Sequence, residues 1–167
     1  EILLTQGKVA LVDDEDFEQF NQFKWRAWKH RNTYYACRNG KTINGKKSML
    51  LMHREVLNAP PGIQGDHRNG NGLDNQKHNL RLCTHAQNMH NRRNAHKNNK
   101  LGIKGVLFHK IRNKFMASIR INNKHVHLGY FTVLADADQA YRVAELKYFG
   151  EFAREETKKL YQMALAG

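Results

Sequence analysis

Acidic side chains are scarce in this chain. Its 167 residues carry 15 Asp and Glu against 28 Lys and Arg, a formal net charge of +13 with histidine neutral. Such an excess favours a polyanionic partner, because each phosphate neutralised by Lys or Arg releases condensed counterions. The bland alternative is a basic surface kept for solubility. Residues 101–131 tell against it. They contain no acid at all, yet hold Lys104, Lys110, Arg112, Lys114, Arg120 and Lys124, whereas residues 132–167 are nearly balanced.

Cysteine and proline are almost missing too, with two of each. Cys37 and Cys83 cannot make a disulfide framework and fit unpaired thiols in a reducing, intracellular compartment. No run of about 18 apolar residues exists, so no membrane span is expected, and the start has no signal-peptide core. The chain opens at Glu1 rather than methionine, so a native start upstream is expected. The length suits one ordinary domain or two small ones.

Residues 8–58 read mostly as β. Val9 to Val12 is a short apolar run ended by Asp13-Asp14-Glu15-Asp16. Trp25, Trp28, Tyr34, Tyr35 and the alternating Met49–His53 segment suggest short strands with turns at Asn39-Gly40 and Asn44-Gly45. The aromatics read as core, with base stacking as the alternative. Pro60-Pro61-Gly62 then breaks the chain. Residues 89–101 are polar, basic and rich in Asn. Their Arg92, Arg93, Lys97 and Lys100 suit either a phosphate-tracking linker or a merely solvated one. Three strands follow: Gly105–Phe108, Phe115–Ile121 with period two, and His125–Gly129 after an Asn122-Asn123-Lys124 turn. From Val133 to Phe149 the apolar period changes to three and four, which predicts a helix ended by Gly150. A second short helix is expected in the tail.

The densest chemistry lies between residues 65 and 88. Gly65-Asp66-His67 is followed by a glycine-containing loop (Gly70, Gly72), Leu73-Asp74-Asn75, and an alternating Asn79-Leu80-Arg81-Leu82-Cys83. Asp66 is a hard oxygen ligand of the kind Mg²⁺ and Mn²⁺ prefer. His67 has the near-neutral pKa of a general base. Thr84-x-x-Gln87 matches a capping box, so a helix should begin at Thr84 with Asn88 one turn inside. Strand, strand and helix could then converge Asp66, His67 and Asn88 on one cavity. A structural zinc at Cys83, His85 and His90 is the weaker alternative, because the paired C-x-x-C spacing is missing.

At these residues the chain resembles the HNH family of nucleases, particularly the homing and free-standing endonucleases of bacteriophages. The resemblance runs over residues 8–95 and includes Met52-His53-Arg54. It implies an α+β fold whose core, at about residues 62–92, is the ββα-metal (His-Me finger) unit of two strands and a helix around one divalent ion. It implies that Asp66 and Asn88 hold Mg²⁺ or Mn²⁺, that His67 is the general base, and that Asn79 holds the loop carrying His67. Asn88 stands where many members have a final histidine, as it does in phage members. Such an enzyme would work in the cytoplasm of a bacterial host.

Residues 102–153 resemble a second family, the Apetala or ethylene-response-factor DNA-binding domain. Gly105-Val106, Phe115-x-Ala117-x-Ile119-Arg120, Leu128-Gly129-Tyr130-Phe131, Ala137-x-x-Ala140-Tyr141 and Gly150-Glu151-Phe152-Ala153 carry that resemblance. It implies a three-stranded antiparallel sheet laid into the major groove and backed by one helix, with Lys104, His109, Lys114, Arg120, His125 and His127 facing DNA. For His125 and His127 the alternative is a pair of plain exposed strand residues. The expected organisation is a nuclease domain at 1–95, a basic linker at 96–102, a DNA-binding domain at 103–153 and a tail at 154–167. The expected activity is metal-dependent hydrolysis of double-stranded DNA by nicking or cleavage; a monomer is expected over a dimer and would nick one strand, while cutting both would need two events or a dimer. The rivals are a non-catalytic DNA-binding regulator on a degenerate nuclease scaffold and an RNA-binding protein.

Overall fold

The computed structural model describes residues 1–30, 33–43, 45–91 and 98–166, and these divide into two compact units, Glu1–Met89 and His90–Gly167. The fold is a mixture of short helices and several small antiparallel sheets.

In the first unit, β1 (Ile2–Leu3) pairs with β2 (Val9–Ala10) and is followed by α1 (Asp14–Asn21). A three-stranded sheet then forms from β3 (Arg26–His30), β4 (Thr33–Ile43) and β5 (Lys46–Leu51), in that order. After it come α2 (Met52–Val56), β6 (Gln64–His67), β7 (Leu80–Cys83) and α3 (His85–His90). The core gathers Ile2, Leu4, Ala10, Phe20, Trp25, Ala36, Met52 and Leu80 from several of these pieces. Trp25 Nε1 donates to the Phe20 carbonyl inside it.

Three expectations for this region need correction. The acidic run after Val12 does not merely end a strand; Asp14, Glu15 and Asp16 form the first turn of α1, where carboxylates meet the positive end of the helix dipole. Likewise the 49–53 alternation stops at Leu51, because Met52 and Val56, four residues apart, both turn inward from a helix. The turn expected at Asn39-Gly40 is instead a break of register inside β4, between Asn39 and Thr42. Gly40 is needed there because a β-carbon would collide with Ser48 and Leu50. Of the second expected turn, Asn44 lies outside the described residues; Gly45 takes a positive φ of 73°. Among the aromatics, Trp25 is core, whereas Trp28 and Tyr35 pair across the opposite face of the sheet.

In the second unit, β8 (Val106–His109), β9 (Lys114–Ile121) and β10 (Lys124–Phe131) make an antiparallel sheet with β9 in the centre. Asn122 and Asn123, both at positive φ, make the tight turn between β9 and β10. Helix α4 (Leu134–Phe149) lies on one face of the sheet, closing a core of Val106, Ala117, Ile119, Ala137, Tyr141 and Ala144. Its small-residue stripe allows that approach. Gly105, at φ 78°, has the Tyr141 ring where a β-carbon would be. Helix α5 (Glu155–Ala166) docks through the fully buried Glu145, whose carboxylate accepts from Arg154 Nε and Thr157 Oγ1.

Candidate functional site

The hairpin β6–β7 sets Asp66 opposite Arg81 and His67 opposite Leu80. Its loop is tied from both ends. Asn79 Oδ1 accepts the Asn69 amide at 3.0 Å, and Asn79 Nδ2 donates to the Asp74 carbonyl at 2.8 Å. Asn69 Nδ2 reaches Asp74 Oδ2. Gly70 has the positive φ of a turn, but Gly72 serves another purpose: a β-carbon there would run into Tyr34 and the Tyr35 ring. The loop is therefore laid directly on β4. Its far end is strapped to the N-terminal segment. Leu11 exchanges backbone hydrogen bonds with Leu73 and Asn75, Asp13 Oδ2 accepts the Lys77 amide, and Lys77 Nζ pairs with Glu15 and Asp16 of α1.

His67 is buried. Its Nε2 lies 3.3 Å from Asn75 Oδ1, and Asn75 Nδ2 donates to the Leu73 carbonyl. With the amide's nitrogen so engaged, its oxygen is the acceptor. This network assigns the proton to Nε2 and leaves the lone pair on Nδ1. Burial holds the His67 pKa below its ordinary value, against the opposing hydrogen bond from Asn75 and the charges of Asp66 and Asp74. The ring is therefore uncharged at neutral pH. Tyr35 and His53 flank it, with ring centroids at 5.7 and 4.9 Å.

Asp66 is engaged differently. Arg81 Nε and Nη2 both donate to Asp66 Oδ2, at 2.8 and 2.6 Å, and both side chains are about one-twentieth exposed. Strand alternation puts Gln64 and Asp66 on one face of β6 and His67 on the other. The capping box is formed: Gln87 Oε1 accepts the Thr84 amide and Thr84 Oγ1 accepts the Gln87 amide. It sets Asn88 one turn into α3, where Asn88 Nδ2 donates to Gln64 Oε1 at 2.9 Å. Asn88 thus lies along the Asp66 face, with its carbonyl oxygen turned away from that bond. The structure brings Asp66 and Asn88 to one face of the hairpin and His67 to the other, rather than all three to a single face.

Among the described residues no three His, Cys, Asp or Glu cluster as a metal cage. The residues of the zinc alternative are dispersed: Cys83 Sγ meets the Gln64 carbonyl, His85 meets the Gln64 amide, and His90 stacks on Phe149. A carboxylate and an amide oxygen are nonetheless the hard donors that suit Mg²⁺ or Mn²⁺, ions that keep several waters of their own. The donor chemistry fits, although an ion there would have to share the Asp66 carboxylate with Arg81.

Along most of its length the chain is similar to a viral protein. That relative, from Acanthamoeba polyphaga mimivirus, is named an uncharacterized HNH endonuclease. The two are 25% identical over 154 residues, covering 89% of this chain and 74% of the relative. No family model matches the chain, and no solved structure matches it.

In the second unit, Lys114, Arg120, His125 and His127 are exposed on the sheet face away from α4, and His109 is half-buried beside Tyr130. His125 stands directly across from Arg120. Arg112 packs over the Tyr130 ring at 4.7 Å. Lys104 does not join this face. Its Nζ donates to the His90 carbonyl and to Glu145 Oε1, because the buried Glu145 carboxylate needs a cation more than the surface does. Arg92, Arg93 and Lys97 lie outside the described residues. The sequence placed no catalytic or metal-binding role on Tyr35, His53, Asn75 or Arg81. Asn75 and Arg81 were legible as motif neighbours, but Tyr35 and His53 come from distant segments and carry no local spacing signal.

Proposed function

We propose that this protein is a metal-dependent endonuclease of the HNH type that nicks double-stranded DNA. The likeness to the viral relative supports a nuclease in general. The observation that carries the chemistry is the buried, uncharged His67, its Nε2 turned to Asn75, on the same hairpin as Asp66.

In this reading His67 Nδ1 accepts the proton of a water whose oxygen bonds to the phosphorus as the P–O3′ bond breaks, and the leaving 3′ oxygen takes a proton from solvent, giving a 5′-phosphate and a 3′-hydroxyl. Asn75 and the Asn79-pinned loop hold Nε2 of the imidazole in place as it takes up charge. Asp66 and Asn88 would hold one Mg²⁺ or Mn²⁺, which as a Lewis acid stabilises charge on the phosphate and the leaving 3′ oxygen. Arg81 fixes the Asp66 carboxylate. The first unit is read as the nuclease and the second as the DNA-reading module, with Arg120, His125, His127, Lys114 and His109 on the duplex. One such site cuts one strand, as in a homing-type enzyme acting as a monomer.

The Arg81–Asp66 pair favours a second reading. A guanidinium that already neutralises the carboxylate suits a duplex-binding regulator without catalysis. Supercoiled plasmid incubated with the protein and Mg²⁺, Mn²⁺ or EDTA separates the two. The nuclease gives nicked circles with a divalent ion and none with EDTA, and His67→Ala abolishes nicking while retaining binding. Binding without nicking under every metal supports the regulator.

A further inference from the structure

His53 is the histidine that the proposed chemistry leaves unused. It comes from α2, is about nine-tenths buried, and makes no side-chain hydrogen bond among the described residues; its Nδ1 is buried without a partner. Its contacts are with rings. It meets His67 edge-to-face at 4.9 Å and 73°, and Tyr35 at 5.6 Å. Gly65 makes room for it: a β-carbon at that position would come within 2.6 Å of His53 Cδ2. Gly65 does not have a positive φ, so the glycine answers to His53, and to Leu57 whose Cδ1 would lie 3.1 Å from the β-carbon, and not to a turn.

We infer that His53 is a positioning residue for His67, holding the plane of that ring by edge-to-face contact. This inference rests on His67 being the general base. The torsion that swings an imidazole about its Cβ–Cγ bond is broad. The 3.3 Å contact with Asn75 holds one edge of the ring in its plane. Tyr35 and His53 pack against the ring itself, His53 edge-to-face. Burial keeps His53 uncharged, with its pKa pushed down to about 3, so it neither repels the imidazolium that forms on His67 nor competes for its proton.

The test compares His53→Ala, His53→Phe and Gly65→Ala in the full-length protein. His53→Phe retains an aromatic ring and removes the nitrogens; Gly65→Ala displaces His53 without altering it. His53→Ala and Gly65→Ala should lower the nicking kcat by about tenfold to a hundredfold, the usual cost of a misplaced catalytic group, with KM for duplex DNA little changed. His53→Phe should return most of the lost kcat. The ¹⁵N shifts of the His67 imidazole should move toward a mixture of tautomers in His53→Ala and stay near the parent values in His53→Phe. Unchanged kcat in His53→Ala, or equal loss in Ala and Phe variants that both fold, would overturn the inference. The spectroscopic arm needs no activity. If the parent fails to nick under any metal, the nuclease reading falls, while the His67 shifts still decide whether His53 orders that ring.

Discussion

At the scale of single residues, the site is governed by groups that cannot leave their partners cheaply. Asn79 satisfies two backbone groups of the motif loop and is itself buried. Asn79→Ala should destabilise the first unit by about 1–3 kcal/mol, the cost of leaving buried polar groups unpaired. Both tryptophans lie in that unit, so urea unfolding followed by tryptophan fluorescence reads this loss directly. The Asp66–Arg81 pair is more sensitive. Arg81→Ala strands a buried carboxylate, and the expected loss is about 3–5 kcal/mol by the same measurement. His53 adds a pH dependence. Its folded pKa of about 3 lies below the ordinary 6.5. The unfolded chain therefore binds the proton first as pH falls, and stability present above about 6.5 drains away toward about 3. Between pH 6.5 and pH 5 this single group should cost about 2 kcal/mol. His53→Phe should flatten that part of the curve; an unchanged slope would mean that another group carries it.

Elements are positioned by a few long-range ties. Helix α1 is short, but its acidic first turn and Asp13 grip Lys77 and so anchor the motif loop from some sixty residues away in sequence. Helix α5 is held by one carboxylate. Glu145 collects Arg154, Thr157 and Lys104, and Glu145→Gln should leave two cations underpaired in a buried place. The expectation is rapid amide exchange throughout α5, with α4 protected for longer. Equal loosening of both helices would show that the tie holds the whole unit rather than α5 alone.

At the scale of the whole molecule, charge is the controlling variable. If the exposed face of the second sheet meets duplex DNA, the association constant should fall steeply with salt, by about 0.9 log unit per log unit of salt for each phosphate contacted. Combined replacement of Lys114, Arg120, His125 and His127 by alanine should weaken binding and make that slope shallower, measured by fluorescence anisotropy on the full chain. A slope left unchanged would move the phosphate contacts elsewhere. Lys104→Ala should not alter the slope. Its charge is spent on Glu145, so its effect should appear as lost stability.

Local patterns were legible in the chain itself. Period-two alternation marked β9, the Asn122-Asn123-Lys124 turn marked the start of β10, the three-and-four spacing marked α4, and Thr84-x-x-Gln87 marked the start of α3, because each is a property of neighbours along the backbone. The sequence by itself also determined the strong positive charge and brought Asp66, His67, Asn79 and Asn88 to notice. The tertiary structure alone decided how those residues are used. It gave Asp66 to Arg81, turned Lys104 inward, and enclosed His67 between Tyr35 and His53. It also changed an acidic run and an alternating run into helices. The physical reason is the same in each case: a buried charge or ring takes the partner that folding brings to it across dozens of residues, and no local spacing encodes that choice.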